Sequence, residues 1–212
     1  MIAIRASDFS EFDFCEYKWF KKITASGLTT QESEAIQAGK KAHEKIDKEF
    51  LKEVKLKKTL NQIFQCKRRV ITRPDACDVT LSAEIGSVML IGKPDEIIAD
   101  PTGCYIIDDK PNLTPYEGYK NQVRAYSLLI ALNFEKEIGN RKIYSILRNR
   151  DSQQIFWREH FDRKTETKTI ANIIKIALIK QRIIPPTPAT SKGKCEACSF
   201  EKCDYSYKKM VS

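Results

Sequence analysis

The chain has 212 residues, with 37 Lys and Arg against 28 Asp and Glu, a formal net charge of +9 and a pI near 9.1. Hydrophobic residues at 42% and charged residues at 31% describe an ordinary globular protein with one sizeable core, and no apolar run approaches bilayer length. MIAIRASDFSEF has no signal-peptide core, so no membrane association and a cytoplasmic location are expected. Seven cysteines without a secretion signal exclude a disulfide framework and turn attention to metal ligation. The basic excess suggests a polyanionic partner, because phosphates neutralised by Lys or Arg release counterions. A solvated basic surface is the plainer alternative.

From about Ser33 to Lys52, Ile36, Gly39, His43, Ile46 and Phe50 recur at helical steps, and a basic stretch from Lys55 to Arg69 follows. VTLSAEI, VMLIGKPDEIIA and CYIIDDK then read as β-strands, separated by turn signals at Gly86-Ser87 and Asp100-Pro101-Thr102-Gly103. A second helix is predicted over Tyr116 to Ile138, with Val123, Tyr126, Ile130 and Phe134 on one face. RKIYSIL and QQIFWRE form a hairpin around Asn149 to Ser152, and a third helix spans Arg163 to Arg182. The tail from Pro185 is Pro-rich, then Cys-rich, and is expected to be irregular. This order predicts an α/β fold, a mixed central β-sheet flanked by helices.

Alternation along the strand IIDDK puts Ile106, Asp108 and Lys110 on one face and Ile107 and Asp109 on the other. Asp95, in GKPDE, lies on the preceding strand and pairs back toward Asp108. Two converging carboxylates make a hard oxygen site suited to Mg²⁺ or Mn²⁺. Phosphodiester hydrolysis needs such a cation, with an ammonium nearby to orient water or stabilise charge; Lys110 is the candidate. An isolated Asp-Lys pair on a strand would contribute under about 1 kcal/mol and signify nothing. His43, on the inward stripe of its helix, is a packed core residue or a nitrogen donor to the same metal. Gln122 and Tyr126, one helical turn apart, present an amide and a phenol to one surface, or are ordinary surface and core.

Cys195, Cys198 and Cys203 form C-x2-C-x4-C in a polar tail. Three thiolates need a fourth ligand, and Cys15, 180 residues before Cys195, is the best candidate. Zinc and an iron–sulfur cluster both accept four thiolates. Cys66, Cys77 and Cys104 read as plain thiols.

Taken in order, SDFSEFDFCEYKWF, the Gly39 to His43 spacing, GKPDE, IIDDK, QVRAY and PPTPATSKGKCEACSFEKC resemble the RecB-like nucleases of the PD-(D/E)xK superfamily. The nearest resemblance is to the CRISPR-associated exonucleases of the Cas-four family. It implies that His43, Asp95 and Asp108, with the Asp109 backbone carbonyl, hold the divalent metal and that Lys110 is the catalytic lysine. Gln122 and Tyr126 would stand for the family's Q-x-x-x-Y motif near the DNA path. Cys15, Cys195, Cys198 and Cys203 would ligate an iron–sulfur cluster, most often 4Fe-4S, with 2Fe-2S or zinc as alternatives. Residues 1–30 and 185–212 would together form a cysteine-cluster subdomain on a nuclease core of 31–184.

The expected function is therefore a metal-dependent exonuclease acting on single-stranded DNA or single-stranded ends in CRISPR spacer acquisition. CRISPR integrase proteins are then possible partners, and a homo-oligomer is compatible. A RecB-like repair, recombination or mobile-element nuclease shares the same chemistry. A non-catalytic four-cysteine nucleic-acid-binding protein is the alternative from another class, and it leaves Asp95, Asp108 and Lys110 unexplained.

Overall fold

A computed structural model of the chain describes residues 1–24, 60, 64, 70–72, 80–189, 191–198, 200, 203 and 205. The helix predicted over Ser33 to Lys52, with Gly39 and His43, lies outside the described residues, as do Cys66 and Cys77.

Among the described residues, eight strands form two mixed sheets. In the first, β1 (Ile2–Arg5) runs parallel to β4 (Val88–Gly92), and β3 (Leu81–Ile85) lies antiparallel to β4 on its other side. The second sheet has the order β2 (Val70–Thr72), β5 (Glu96–Ala99), β6 (Gly103–Lys110), β7 (Lys142–Asn149), β8 (Ile155–His160). Its ladders are antiparallel except for β6 and β7, which are parallel. Parallel neighbours require a crossover, and the chain makes it through α3 (Glu117–Asn133) and the short α4 (Glu135–Ile138). Helices α1 (Asp8–Phe14) and α2 (Glu16–Thr24) follow β1 in sequence, and α5 (Arg163–Lys180) and α6 (Lys192–Glu196) follow β8. No helix among the described residues is long and apolar enough to cross a membrane.

The run VMLIGKPDEIIA, expected as one strand, is two strands in different sheets. Pro94 has no N–H to donate and cannot continue a ladder. Gly92 closes the register of β4 against Leu81, and Glu96 opens that of β5 against Ile107. Lys93, Pro94 and Asp95 therefore carry the chain from one sheet to the other. The second predicted helix breaks at Phe134, whose φ of −133° is not helical. Part of the tail, expected to be irregular, is helical in α6, where the Ser191 hydroxyl accepts from the Lys194 amide at 3.2 Å.

Helix α3 is buried along Asn121 to Ile130 on every side, not on the single face that its periodicity suggests. It packs against α1, α5 and both sheets, so its polar residues must find partners inside the protein. Ser127 meets Ser145 of β7 at 2.8 Å, and Arg124 reaches Glu159 and Glu117, each at 2.7 Å. At the start of α3 the backbone of α1 comes so close that a Cβ on Gly118 would lie 3.0 Å from Ser10 Cα.

Strand β6 divides its side chains as alternation predicts. Cys104 and Ile106 enter the main core, while Ile107 joins Ile98 and Ile146 on the other face. On that second face, Arg148 of β7 donates to both Asp109 oxygens (2.7 and 2.9 Å) and to both Glu96 oxygens (3.2 and 3.1 Å). One guanidinium thereby ties β5, β6 and β7 together. Arg148→Ala, which takes the cation from two buried carboxylates, is expected to cost about 3–5 kcal/mol in chemical denaturation. Arg148→Lys should recover only part of this, because an ammonium lacks the planar fork.

Candidate active site

The hairpin of β5 and β6 begins with local turn chemistry. The Asp100 carboxylate accepts from the Thr102 amide at 2.8 Å and from the Gly103 amide at 2.9 Å, closing the turn. Register then runs from Ala99 opposite Cys104 to Glu96 opposite Ile107. The next step places Asp95 beside Asp108. Asp95 Oδ2 accepts from the Asp109 amide at 2.7 Å, which pins its carboxyl at the end of the hairpin.

Asp108, Asp109 and Lys110 are 2, 1 and 9% exposed, so three consecutive charged residues are buried on one strand. Burial pushes the Asp95 carboxyl well above its ordinary range, the neighbouring Asp108 carboxylate pushes it further, and the Asp109 amide opposes them. Lys110 Nζ forms an ion pair with Asp108 Oδ2 at 2.7 Å, donates to Gln122 Oε1 at 3.0 Å and lies 4.6 Å from the centre of the Tyr119 ring.

Gln122 orients this lysine. Its Oε1 accepts from Lys110 and from the Ser10 hydroxyl (2.6 Å), and its Nε2 donates to the Tyr126 hydroxyl at 3.0 Å. With both ends of the amide engaged, the oxygen faces the ammonium. The Tyr126 ring packs on Gly92, where a Cβ would come within 2.7 Å of the ring. Gly92 thus provides the close approach between the sheet-switching segment and the tyrosine.

The structure brings Asp95, Asp108, Lys110, Gln122 and Tyr126 into one cluster. Asp109 contributes its amide to that cluster but turns its side chain to Arg148, on the opposite face. His43 is outside the described residues. Ser10 and Tyr119 were not foreseen: Ser10 is a lone hydroxyl in a short helix, and Tyr119 reads as a surface aromatic. Only the close docking of α1 on α3 identifies their role.

Among the described residues, no three His, Cys, Asp or Glu side chains are grouped as a ready-made metal cage. The donor chemistry of the acidic cluster nonetheless fits a hard divalent cation. The Asp95 and Asp108 carboxylates repel each other, and a cation between them would relieve that repulsion.

A second cluster surrounds a small cavity lined by Cys15, Cys195, Cys198 and Cys203, with Lys18 and Lys194 at its edge. Cys15 sits at the joint of α1 and α2, where its Sγ accepts from the Ala189 amide at 3.4 Å; Cys195 Sγ lies 3.6 Å from the Ala189 carbonyl. Glu16 accepts from the Thr187 amide at 3.0 Å, and Lys194 donates to the Asp13 carbonyl at 2.9 Å. These bonds hold the tail against the first two helices. Burial raises the pKa of Cys203, and the three other thiols raise it further. The four cysteines thus line one cavity without being grouped closely enough, among the described residues, to form a ready-made metal cage. Cys104 is a plain buried thiol, pushed up to about 11 by burial.

A mixed sheet with carboxylates and a lysine converging at the end of a hairpin defines a class of phosphodiesterase. Residues 28–204 match the family described as the PD-(D/E)XK nuclease superfamily. The chain belongs to that superfamily, whose nucleases use divalent cations such as Mg²⁺ or Mn²⁺. Similar solved structures include one described as SSO0001, 16% identical with a TM-score of 0.45, covering 97% of this chain and 88% of the other. A candidate exonuclease from Eubacterium rectale is 13% identical with a TM-score of 0.44, covering 93% of this chain and 86% of the other. No curated protein matches the chain significantly.

Replacing Asp95 with Asn keeps an acceptor for the Asp109 amide and removes the repulsion with Asp108. In metal-free buffer at neutral pH, Asp95→Asn should stabilise the fold by about 1 kcal/mol, raising Tm by roughly 2–4 °C. A lower Tm in calorimetry would mean that the apo fold draws net stability from the charged carboxylate.

Proposed function

We propose that the chain is a divalent-metal-dependent DNA exonuclease that acts on single-stranded DNA or single-stranded ends, in CRISPR spacer acquisition. The convergence of Asp95 and Asp108 beside Lys110, under burial, carries the enzymatic part of this reading. The basic excess supports a nucleic-acid substrate, and the motif order supports the CRISPR context, with integrase proteins as the implied partners.

Asp95 and Asp108 hold the cation in this reading, joined by the His43 imidazole and the Asp109 carbonyl. When bound, Mg²⁺ or Mn²⁺ polarises the phosphoryl oxygen and eases deprotonation of water. Asp108 and Gln122 hold the Lys110 ammonium on a fixed heading, so it can orient the attacking water or meet charge growing on phosphorus. Water adds to phosphorus as the bond to the leaving oxygen breaks, and the leaving oxygen takes up a proton. Tyr126 and Ser10 hold Gln122, and through it Lys110.

Cys15, Cys195, Cys198 and Cys203 hold an iron–sulfur cluster of the 4Fe-4S type in this reading, with 2Fe-2S and zinc as the other four-thiolate choices. Residues 1–30 and 185–212 then form one subdomain. In the chain-entropy view, a cross-link between Cys15 and Cys195 contributes on the order of 4–5 kcal/mol by restricting the unfolded chain.

One anaerobic preparation tests both halves. It is expected to be coloured, to contain iron, and to degrade end-labelled single-stranded DNA with Mn²⁺; Lys110→Ala should lower the rate by about 10²-fold or more. Full activity in Lys110→Ala would reject the site, and a colourless preparation with stoichiometric zinc would reject the iron–sulfur assignment.

A further inference from the structure

A groove of about 540 Å³ opens between α1, the start of α3 and α6. It lies within the roughly 300–1,000 Å³ of small-ligand sites. Two tyrosines stand along it, Tyr116 and Tyr119, packed edge to face with ring centres 5.5 Å apart. Tyr119 also covers the Lys110 ammonium at 4.6 Å, and Ser10, another lining residue, donates to Gln122, so two residues of the groove touch the candidate active site. Tyr116 leaves 55% of its surface in water. A groove-lining ring this exposed offers surface on which a flat group can stack.

The remaining lining includes one cation, Lys194, whose ammonium is engaged by the Asp13 carbonyl at 2.9 Å, and is otherwise suited to a flat, uncharged group. Gly118, Gly193 and Ala197 contribute little side chain to it, and a Cβ on Gly193 would meet nothing within 4 Å. Its two carboxylates have partners of their own. Asp13 accepts from Asn121 at 2.8 Å, and Glu117 pairs with Arg124 at 2.7 Å and Lys168 at 3.4 Å. Both would repel a phosphate brought between them, whereas a base has no charge to repel.

We propose that this groove is a nucleobase subsite, in which a base of a single-stranded DNA neighbouring the reacting phosphate stacks on Tyr116. The inference rests on the nuclease reading and adds the means by which that site selects its substrate. Stacking suits any base, because every base offers a π-face, so the subsite is indifferent to sequence. A base inside a duplex has both faces covered by its neighbours and must first unstack. The groove therefore admits single strands and frayed ends and disfavours closed duplex.

The test compares wild type, Tyr116→Ala and Tyr116→Phe, using a single-stranded oligonucleotide and the same strand with an abasic site near the cut end. Tyr116→Ala should raise KM for the intact strand about tenfold, with kcat within about twofold of wild type. Tyr116→Phe, which keeps the ring, should retain the wild-type KM. The abasic site should weaken wild type to the level of Tyr116→Ala and leave the variant no worse.

An unchanged KM in Tyr116→Ala overturns the subsite while leaving the nuclease reading intact. So does an equal penalty from the variant on intact and abasic strands. A wild-type chain that neither cuts nor binds the oligonucleotide overturns both.

Discussion

The strongest constraint on this structure is electrostatic. Asp95 and Asp108 meet at the end of one hairpin with Lys110 as their close ammonium, in surroundings that penalise charge. A fold does not collect such groups for stability, since apolar residues in the same space cost less. The strain is accommodated because Lys110 is secured from three directions, by Asp108, Gln122 and Tyr119.

Strand β6 serves two networks at once. Its core face carries Asp108 and Lys110 toward α3, and its other face carries Asp109 to Arg148 and thence to Glu96. The second network fixes β5 and β7 against β6, and so fixes where Asp95 emerges. The Asp109 backbone links the two faces, because its amide holds Asp95 while its side chain is held by Arg148. On the helical side, Gly118 lets α1 approach α3 closely enough for Ser10 to reach Gln122. Cys15 caps the same α1, which places the cysteine cavity one helix away from the lysine.

Much of this was legible in the residues. Alternation along IIDDK foretold which charges share a face, and the turn at Asp100 to Gly103 foretold the hairpin that brings Asp95 alongside. The tail cysteines and Cys15 do line one cavity. Other features were hidden for physical reasons. β1 has four residues and α1 seven, too few for a periodic pattern to stand out. The segment GKPDE preserves a strand-like pattern while its hydrogen-bonding partners change sheet, which only the ladder reveals. The burial of α3 on all sides is masked by Asn121, Gln122 and Arg124, polar residues whose partners lie far away in the sequence. Ser10 and Tyr119 acquire meaning only from that packing.

Diffraction from crystals soaked in Mn²⁺, recorded at a wavelength where manganese scatters anomalously, tests the central claim most directly. The account predicts one strong peak bridged by carboxylate oxygens of Asp95 and Asp108, with the Lys110 ammonium beside it. A peak elsewhere in the fold, with those carboxylates left unbridged, would contradict it.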